Sequence, residues 1–590
     1  MLTLRPLSRP DTAALARSLR RSERDEAALA RLDEEVWRVS AGNPLLILET
    51  VRAIRQQGPD DTERSRLLPT RVRELVLARL ERLSPRARGV VSIASVIGRE
   101  FDFRLLQHAA ALDDRHGAEV VEELVRRKVF HGVGERLDFT HDLVREVARE
   151  ALPLDAVKSI HRLLAASIEA VYAPNLEPHY DALAAHSHRG ELWDKAVGYL
   201  VEAGKTAGER SAHRAAAGYF EQALEALSHL PESRATLEYA VDIRLALHTS
   251  RFAVGELERS HEALRGAAEP AERLGDPRRD AVLALHTAQF LWASGRSREA
   301  WPLVEHANAV GEAAGDFALS TSAVLYSAAV RVALGDFQEA ERGFRRVVES
   351  LEGAADDRVG LHGFPLVFAE CALAVICAES GRFDEANLHA EACIRAGEAV
   401  GHAYSLVFGL RGIGHALTTQ GRLDDALRVL ERAASLCHDE TAAALQPNVM
   451  ASMGYAYALS GRARDGIRLL SEAIASVETA GALVWYGLLL TQIAEASLIA
   501  GDLGVAHDFA TRALSHARER GERWFEARAL KTLGDVEARR APLDVASCEQ
   551  YYRDAFELAE QRGLTSLAVQ CQAGLTAVRR HGNGDCTEPS

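Results

Sequence analysis

Residues 403–437 read AYSLVFGLRGIGHALTTQGRLDDALRVLERAASLC. Apolar side chains recur in this stretch every three or four positions, on one face of each of two helices. These side chains are Leu406, Leu410, Ile413 and Leu417 in the first helix, and Leu423, Ala426, Leu427, Leu430 and Ala433 in the second. Gly421 stands between the helices, where a glycine permits the left-handed turn that ends the first of them. The stretch therefore predicts a helix-turn-helix unit.

The same unit recurs along the second half of the chain with a period close to forty residues. The glycines at its turn are Gly255, Gly295, Gly335, Gly381, Gly421, Gly461 and Gly501. A small residue follows five places after six of them, at Ala300, Ala340, Ala386, Ala426, Gly466 and Ala506. Another small residue lies twelve places before each of these, at Ala288, Ala328, Ala374, Gly414, Gly454 and Ala494. Because a fixed period of this length marks a repeat array, we expect stacked helix pairs that touch at the small residues.

The repeats predict an all-α fold with a solenoid over residues 171–578, built from about nine or ten units. An earlier unit, with its turn at Gly190, fits the same pattern. At the other end, Ala541 and Ala546 continue the forty-residue spacing, which predicts one more unit there. Residues 579–590 have no apolar pattern, so we predict a disordered tail.

Composition and charge exclude several classes of protein. The chain has 590 residues, of which 47% are hydrophobic and 26% charged, as in a soluble globular protein. It has no signal-peptide pattern and no run of eighteen apolar residues, so we predict a cytoplasmic location and no membrane partner. The net charge is −15, and residues 161–590 alone carry −17. Because so acidic a surface repels phosphates, we predict no nucleic-acid partner and favour basic or apolar guests.

Catalytic and metal-binding patterns are missing from the sequence. The seven cysteines form no CxxC pair, and the histidines form no HExxH, so no metal site is predicted. Cys393 lies seven places after Ala386, where other repeats have alanine, and we expect it to fill a small core position. Residues 203–206 (AGKT) end like a phosphate-binding loop, but Tyr199 replaces the first glycine of that motif. No catalytic residue is assigned.

The first 170 residues follow a different pattern. VWRVSAGNPLLILETVRAI (36–54) contains a loop and an amphipathic helix, and two further helices are predicted to start near Thr70 and at Pro85. AEVVEELVRRKVFHGVGERLDF (118–139) is typical of a helix that continues into a short β-hairpin. Helices closed by a hairpin indicate a winged helix.

The order of these parts resembles a known family. The helix pairs are similar to the tetratricopeptide repeat (TPR), in a form longer than the usual unit of about 34 residues. The whole chain resembles bacterial signal-transduction ATPases with numerous domains (STAND), of the kind fused to class III nucleotide cyclases or kinases. In that family a nucleotide-binding domain precedes a winged helix and a repeat sensor. The resemblance implies that residues 1–60 are a helical remnant of the nucleotide-binding domain and residues 61–170 the winged-helix domain.

Two short motifs carry this resemblance. Gly42, Asn43, Pro44 and Leu45 resemble the GxPL motif, whose proline packs near the adenine in that family. His141, in the run FTHDLV, resembles a winged-helix histidine that reaches the β-phosphate of ADP. An imidazole suits this role because it can donate a hydrogen bond to an anion and titrates near neutrality. The resemblance thus implies nucleotide sensing, whereas the structural alternatives are a loop proline at Pro44 and a helix cap or hairpin contact at His141.

The P-loop of the family is absent from this sequence, because GxxxxGK[ST] occurs nowhere in it. We therefore expect the chain to begin inside the ATPase domain, to be no enzyme as it stands and to bind no cofactor by itself. The resemblance implies ATP or ADP and Mg²⁺ for a longer parent protein.

Three functions remain open at this point. The first is the regulatory and sensor module of a STAND ATPase, in which the winged helix relays the nucleotide state and the TPR solenoid binds a protein, peptide or small effector. A homo-oligomer is compatible with this function. The second is a stand-alone TPR scaffold for protein interactions that needs no nucleotide. The third is a transcriptional regulator of the maltose-regulator type, but the chain shows no helix-turn-helix after its repeats.

Overall fold

The computed structural model of the protein describes residues 7–18, 33–34, 36–37, 40, 42, 47, 51, 70–133, 136–352, 363–438 and 442–582. The chain divides into two compact units, which are treated separately below. Unit 1 is Met1–Ala203 and unit 2 is Gly204–Ser590.

Unit 1 consists of helices and one small sheet. Its described elements are α1 (Arg9–Ser18), α2 (Thr70–Glu81), α3 (Pro85–Ile97), β1 (Glu100–Asp102), α4 (Phe103–Ala109), α5 (Asp114–Arg126), β2 (Phe130–Val133), β3 (Arg136–Phe139), α6 (Asp142–Glu150), α7 (Leu154–Val171), α8 (Tyr180–Arg189) and the first part of α9 (Trp193–Glu209). The strands form an antiparallel sheet in the order β1-β3-β2.

The start of α3 shows how sequence sets local structure in unit 1. The side chain of Ser84 caps the helix by accepting a hydrogen bond from the N–H of Ala87. Pro85 occupies the first turn, where its missing N–H has no intrahelical partner to lose. The Ser84 hydroxyl also donates to Glu123 of α5 at 2.7 Å, which ties the two helices together. The start at Pro85 is the one predicted from the sequence, and the helix ends at Ile97.

Three phenylalanines of the sheet pack together in the core of unit 1. Phe101, Phe130 and Phe139 come one from each strand, and their ring centroids lie 4.9 to 5.9 Å apart in edge-to-face geometry. They are buried with apolar residues of α2 to α6. The predicted helix and hairpin over residues 118–139 are confirmed. β1 was not predicted, because three residues are too few to show an alternating pattern.

Unit 2 is helical throughout its described residues. After the rest of α9 its helices are α10 (His213–Ser228), α11 (Arg234–Ala253), α12 (Leu257–Leu274), α13 (Pro277–Ala293), α14 (Ser297–Ala314), α15 (Phe317–Leu334), α16 (Phe337–Ser350), α17 (Pro365–Glu379), α18 (Phe383–Val400), α19 (Ala403–Thr419), α20 (Leu423–Leu436), α21 (Gln446–Leu459), α22 (Ala463–Ala480), α23 (Tyr486–Ile499), α24 (Leu503–Arg520), α25 (Arg523–Glu537), α26 (Val545–Arg562) and α27 (Thr565–Gly582). The predicted all-α solenoid is confirmed. The helix α27 continues to Gly582, into the segment predicted as a tail, and residues 583–590 lie outside the described part.

The forty-residue pattern corresponds to helix pairs that touch at small residues. All seven predicted turn glycines have a positive φ, between 70° and 85°. The alanines five places later are fully buried, and Cys393 is 1% exposed, as predicted for a core position. A Cβ at Gly466 would lie only 2.3 Å from the carbonyl oxygen of Gly454, so the two helices meet at the predicted pair. The small residues therefore set the distance between the helices of each pair.

The last helix pair departs from the prediction. Ala546 is exposed, and Cys548, which is fully buried, takes the small core position instead. The physical reason is a longer connection: seven residues separate α25 from α26, whereas three separate α23 from α24. The prediction that Ala541 and Ala546 continue the repeat spacing is therefore wrong, although the predicted extra unit exists.

Unit 2 coils on itself, so that turns far apart in sequence come into contact. The Ser566 hydroxyl donates to the carbonyl oxygen of Ala378, 188 residues earlier, at 3.0 Å. In the same way the guanidinium of Arg520 donates to the carbonyl oxygen of Gly295 at 2.7 Å. One large apolar cluster runs from α11 to α27 across these contacts. The first helices of the pairs thus line an enclosed interior.

One helix of this interior is also apolar and long enough to cross a membrane by length and composition alone. This helix is α15, and 67% of it is buried within the protein. It lies between α14 and α16 and contributes to the main apolar cluster. Its apolar character therefore has a structural explanation in the packing of unit 2.

The glycines at two turns allow a test of the coil contact. Gly335 and Gly421 both have a positive φ, but a Cβ at Gly335 would lie 2.9 Å from Cβ of Arg523 and 3.0 Å from the backbone nitrogen of Trp524, whereas Gly421 has open space. We expect Gly421→Ala to cost about 1 kcal/mol of unfolding free energy, for its backbone strain. Gly335→Ala should cost a further ~1–3 kcal/mol, because the extra methyl group forces the two coil turns apart. Urea unfolding of both variants measures the difference, and equal costs would contradict the coil contact.

A buried carboxyl group at the same contact makes stability depend on pH. Glu522 is fully buried, and neither of its carboxyl oxygens has a hydrogen-bond partner among the described residues. Burial raises its pKa to about 8, although Arg520 opposes the rise. The nearest imidazole, His516, lies 3.7 Å away, and burial lowers its pKa to about 4, so it offers no positive charge at neutral pH.

We therefore expect the wild-type protein to lose stability as pH rises from about 4.5 to about 8, because over this range the folded state holds a proton that the unfolded state has released. The slope is at most ~1.4 kcal/mol per pH unit for one group. Glu522→Gln, which mimics the protonated carboxyl group, should flatten this dependence and stabilise the protein above neutral pH. Urea unfolding from pH 5 to pH 9 measures the unfolding free energy of both proteins. The same pH dependence in the two proteins would refute the prediction.

Candidate ligand-binding site

The predicted nucleotide-sensing residues fall partly within the described structure. Asn43 and Pro44 lie outside the described residues. Gly42 has a φ of 78°, and its carbonyl oxygen accepts a hydrogen bond from the N–H of Leu7 at 2.8 Å. A Cβ at Gly42 would lie 2.2 Å from the carbonyl oxygen of Leu7. Packing against this neighbouring chain segment is therefore sufficient to require glycine at position 42.

His141 stands at the N-cap of α6, but its side chain makes no capping hydrogen bond. Its Nδ1 is buried without a hydrogen-bond partner among the described residues. Burial, and then the nearby Arg79 and His131, lower the pKa of its imidazole. The structural alternatives for His141, a helix cap or a hairpin contact, are thus not observed. The described contacts of Gly42 and His141 do not bring these two residues together.

A second candidate site lies inside unit 2 and was missed by the sequence analysis. Two cavities lie between the first helices of successive pairs, with empty volumes of about 470 and about 380 Å³, counting the space open to solvent. They share the lining residues Trp292, Phe368 and Phe408, and we call the two cavities together the aromatic lumen. Its remaining aromatic walls are Phe252, Tyr326, Phe344, Phe364, Tyr404 and Trp485. Concave spaces lined mainly by apolar and aromatic side chains are typical of small-molecule sites.

The aromatic rings leave flat apolar faces around the lumen. Phe368 and Phe408 stack with centroids 4.6 Å apart and an interplanar angle of 18°. Trp292 lies 5.8 Å from Phe368 in a tilted arrangement. At one end Gln289 donates a hydrogen bond to the hydroxyl of Tyr326 at 2.5 Å. The polar groups at that end are neutral and largely satisfy one another.

Arg411 is the one charged residue among the described residues that line the lumen. It is 6% exposed, and its guanidinium carbon lies 5.0 Å from the ring centroid of Trp485 and 5.6 Å from that of Phe408. Burial lowers its pKa. Across the described structure it makes no hydrogen bond or ion pair; cation–π contacts act on its charge, and Cys371 and Tyr404 lie close enough to oppose the lowering of its pKa. The sequence could have pointed to Arg411, because it is the single Lys, Arg, Asp or Glu in α19.

The buried charges around Arg528 are paired, in contrast to Arg411. His415 Nε2 lies 2.9 Å from the Glu379 carboxylate, and Arg528 lies between Glu379 and Glu495 at 3.5 and 3.7 Å. Lys531 approaches Glu495 at 3.7 Å. Burial alone would raise the pKa of Glu379, but the hydrogen bond with His415 and the charge of Arg528 hold it below its ordinary value. This network has no unused charge to offer a ligand.

One group of side chains has atoms close enough to hold a metal ion. It consists of Glu341, Cys377 and Glu385. Arg382 already donates to both carboxylates, at 2.6 Å to Glu341 and 3.1 Å to Glu385. Burial raises the pKa of the Cys377 thiol to about 11, which disfavours the thiolate that a metal needs. We therefore interpret the group as an ion-pair network.

No family model matches the chain. An uncharacterized protein of Rhizobium meliloti (strain 1021) is 29% identical over 245 residues. These residues make up 39% of this chain and 23% of that protein, so the match spans less than a quarter of the relative's length.

Three solved structures are similar in fold. A Rap protein complexed with competence and sporulation factor has a TM-score of 0.45 at 13% identity, covering 66% of this chain and 99% of its own. A STAND protein with a tetratricopeptide repeat sensor from Pyrococcus horikoshii has a TM-score of 0.25 at 13% identity, covering 98% of this chain and 70% of its own. Aspartyl phosphate phosphatase F from Bacillus subtilis has a TM-score of 0.34 at 12% identity, covering 67% of this chain and 97% of its own. At these identities the similarity concerns the fold alone.

The unpaired imidazole of His141 gives a test that separates a binding role from a structural one. His141→Ala should change the unfolding free energy by less than ~1 kcal/mol, because no hydrogen bond is lost. His161 is the matched control, since its Nδ1 lies 2.8 Å from Nδ1 of His186 in a buried pair. His161→Ala should cost ~1–3 kcal/mol, because it leaves His186 buried without its partner. Urea unfolding of both variants measures this, and a large cost at His141 would assign it a structural role.

Proposed function

We propose that the protein is a regulatory sensor whose helical array binds an effector in the aromatic lumen. The observation that carries this proposal is the enclosed aromatic cavity, whose single charge has no partner within the described protein. The charge network beside it is internally paired and offers no reactive group, so the proposal assigns the chain binding and no catalysis. The effector is a protein segment, a peptide or a small molecule that fits this cavity. We place the protein in the cytoplasm.

We further propose that the chain is the regulatory part of a STAND-type ATPase. The order α3-β1-α4-α5-β2-β3 in unit 1 is that of a winged helix, which supports a winged-helix domain at this place in the chain. The unpaired Nδ1 of His141 supports its assignment to the β-phosphate of ADP, with Gly42, Asn43 and Pro44 near the adenine. The P-loop, the Mg²⁺ ion and most contacts to the nucleotide then belong to a longer parent protein.

A stand-alone TPR scaffold is the second candidate function, and one observation favours it. Gly42 is fully accounted for by its contact with Leu7, so the GxPL resemblance needs no nucleotide to explain its glycine. In this alternative the aromatic lumen still binds its guest, but unit 1 relays no nucleotide state.

The two candidates differ in the mass and the nucleotide content of the native protein. We expect an antibody against unit 2 to detect, in the protein's own cells, a polypeptide larger than the 64.2 kDa of this chain by roughly 20 kDa or more, the size of a P-loop domain. The purified native protein should release ADP on denaturation, and His141→Ala should remove most of it. His116→Ala, which changes an exposed imidazole of unit 1, is the control and should retain it. A band at 64.2 kDa without nucleotide would instead support the scaffold.

A further inference from the structure

The guanidinium of Arg411 is the starting point. The residue is 6% exposed, and no hydrogen bond or ion pair satisfies its donors in the part of the chain that the structure describes. A guanidinium carries five N–H donors, and burying them unused is costly unless a partner supplies acceptors. The donors border an open cavity, so a ligand in that cavity can reach them. The missing acceptors are therefore best supplied by a bound molecule.

The charge of that molecule follows from its surroundings. Arg411 alone is charged among the described residues that line the lumen, so the lumen compensates one negative charge. A carboxylate matches the fork of a guanidinium with two parallel hydrogen bonds. A phosphate dianion would leave one charge uncompensated among aromatic rings, which is unfavourable in an apolar site.

The body of the molecule follows from the walls. The rings of Phe368, Phe408 and Trp292 line the cavity that Arg411 also lines. Aromatic walls favour a flat or otherwise apolar group over a sugar or a charged peptide. The limited volume of the two cavities fits a small molecule.

We infer that the aromatic lumen binds a small organic monocarboxylate with an aromatic body, whose carboxylate pairs with Arg411. This inference rests on the proposed function, because it names the chemical class of the effector that the array binds. Trp292 and Trp485 lie in the walls, so occupancy of the lumen should change tryptophan fluorescence.

The test uses the full chain and 3-phenylpropanoate as probe, followed by calorimetry and tryptophan fluorescence at pH 7.5. We expect saturable binding that is at least tenfold weaker for the uncharged 3-phenylpropanamide and for the dianion phenyl phosphate. Arg411→Leu should weaken binding of the carboxylate at least tenfold without lowering the melting temperature, because removing an unpaired buried charge leaves no other group orphaned. Arg411→Lys should retain part of the affinity.

The matched control is Arg428→Gln, which removes an arginine whose side chain is 76% exposed on α20 and should leave binding unchanged. Equal binding of the acid and the amide, an unaltered affinity in Arg411→Leu, tighter binding of phenyl phosphate, or no binding of 3-phenylpropanoate at 10 mM would each overturn the inference. If binding depends on Arg411 but the native protein has no bound nucleotide and no larger mass, the site stands and the proposed signalling function fails.

Discussion

The contact between turns of the coil in unit 2 is the constraint on which its interior depends. Backbone carbonyl groups at the turns accept hydrogen bonds from side chains almost five repeats away, as between Ala378 and Ser566. Phe337 and Trp524 pack across the same contact with ring centroids 5.3 Å apart. Because the contact closes the array on itself, the first helix of each pair is covered on two sides. An interior of aromatic and small residues, instead of an open groove, is the result.

Two different solutions for buried charge occur inside this interior. Around Glu379 and Arg528 each carboxylate has a cationic or hydroxyl partner, so the charges compensate one another and join helices of several repeats. At Arg411 the guanidinium lies against ring faces and near Cys371 and Tyr404, without a hydrogen bond or ion pair to any residue that the structure describes. A folded protein keeps a charge in that condition at a cost in stability, and a ligand that pairs with the charge would recover this cost. The contrast between the two regions is what distinguishes a structural network from a binding site.

In unit 1, Gly42 and His141 each belong to a motif that carries the family resemblance, but the surrounding structure explains only one of them. Position 42 requires a glycine because a Cβ there would clash with the backbone of Leu7. The presence of Gly42 is therefore little evidence for a ligand. Among the described residues the His141 side chain makes no capping hydrogen bond, and its buried Nδ1 has no hydrogen-bond partner. The sequence motifs alone could not separate these cases, because both depend on what lies next to the residue in space.

The sequence by itself determined the repeat, its glycine turns, the small residues at which helices touch, and the helix and hairpin of unit 1. These features depend on spacing along the chain, which local backbone geometry and helical periodicity translate directly into structure. The shift from Ala546 to Cys548 was not predictable, because it depends on the length of one loop. Only the tertiary structure decided that turns 188 residues apart meet, and with them that Arg411 is buried among aromatic rings. The reason is that the coil depends on small angles between successive helix pairs, which accumulate over many residues and have no signature in any one repeat.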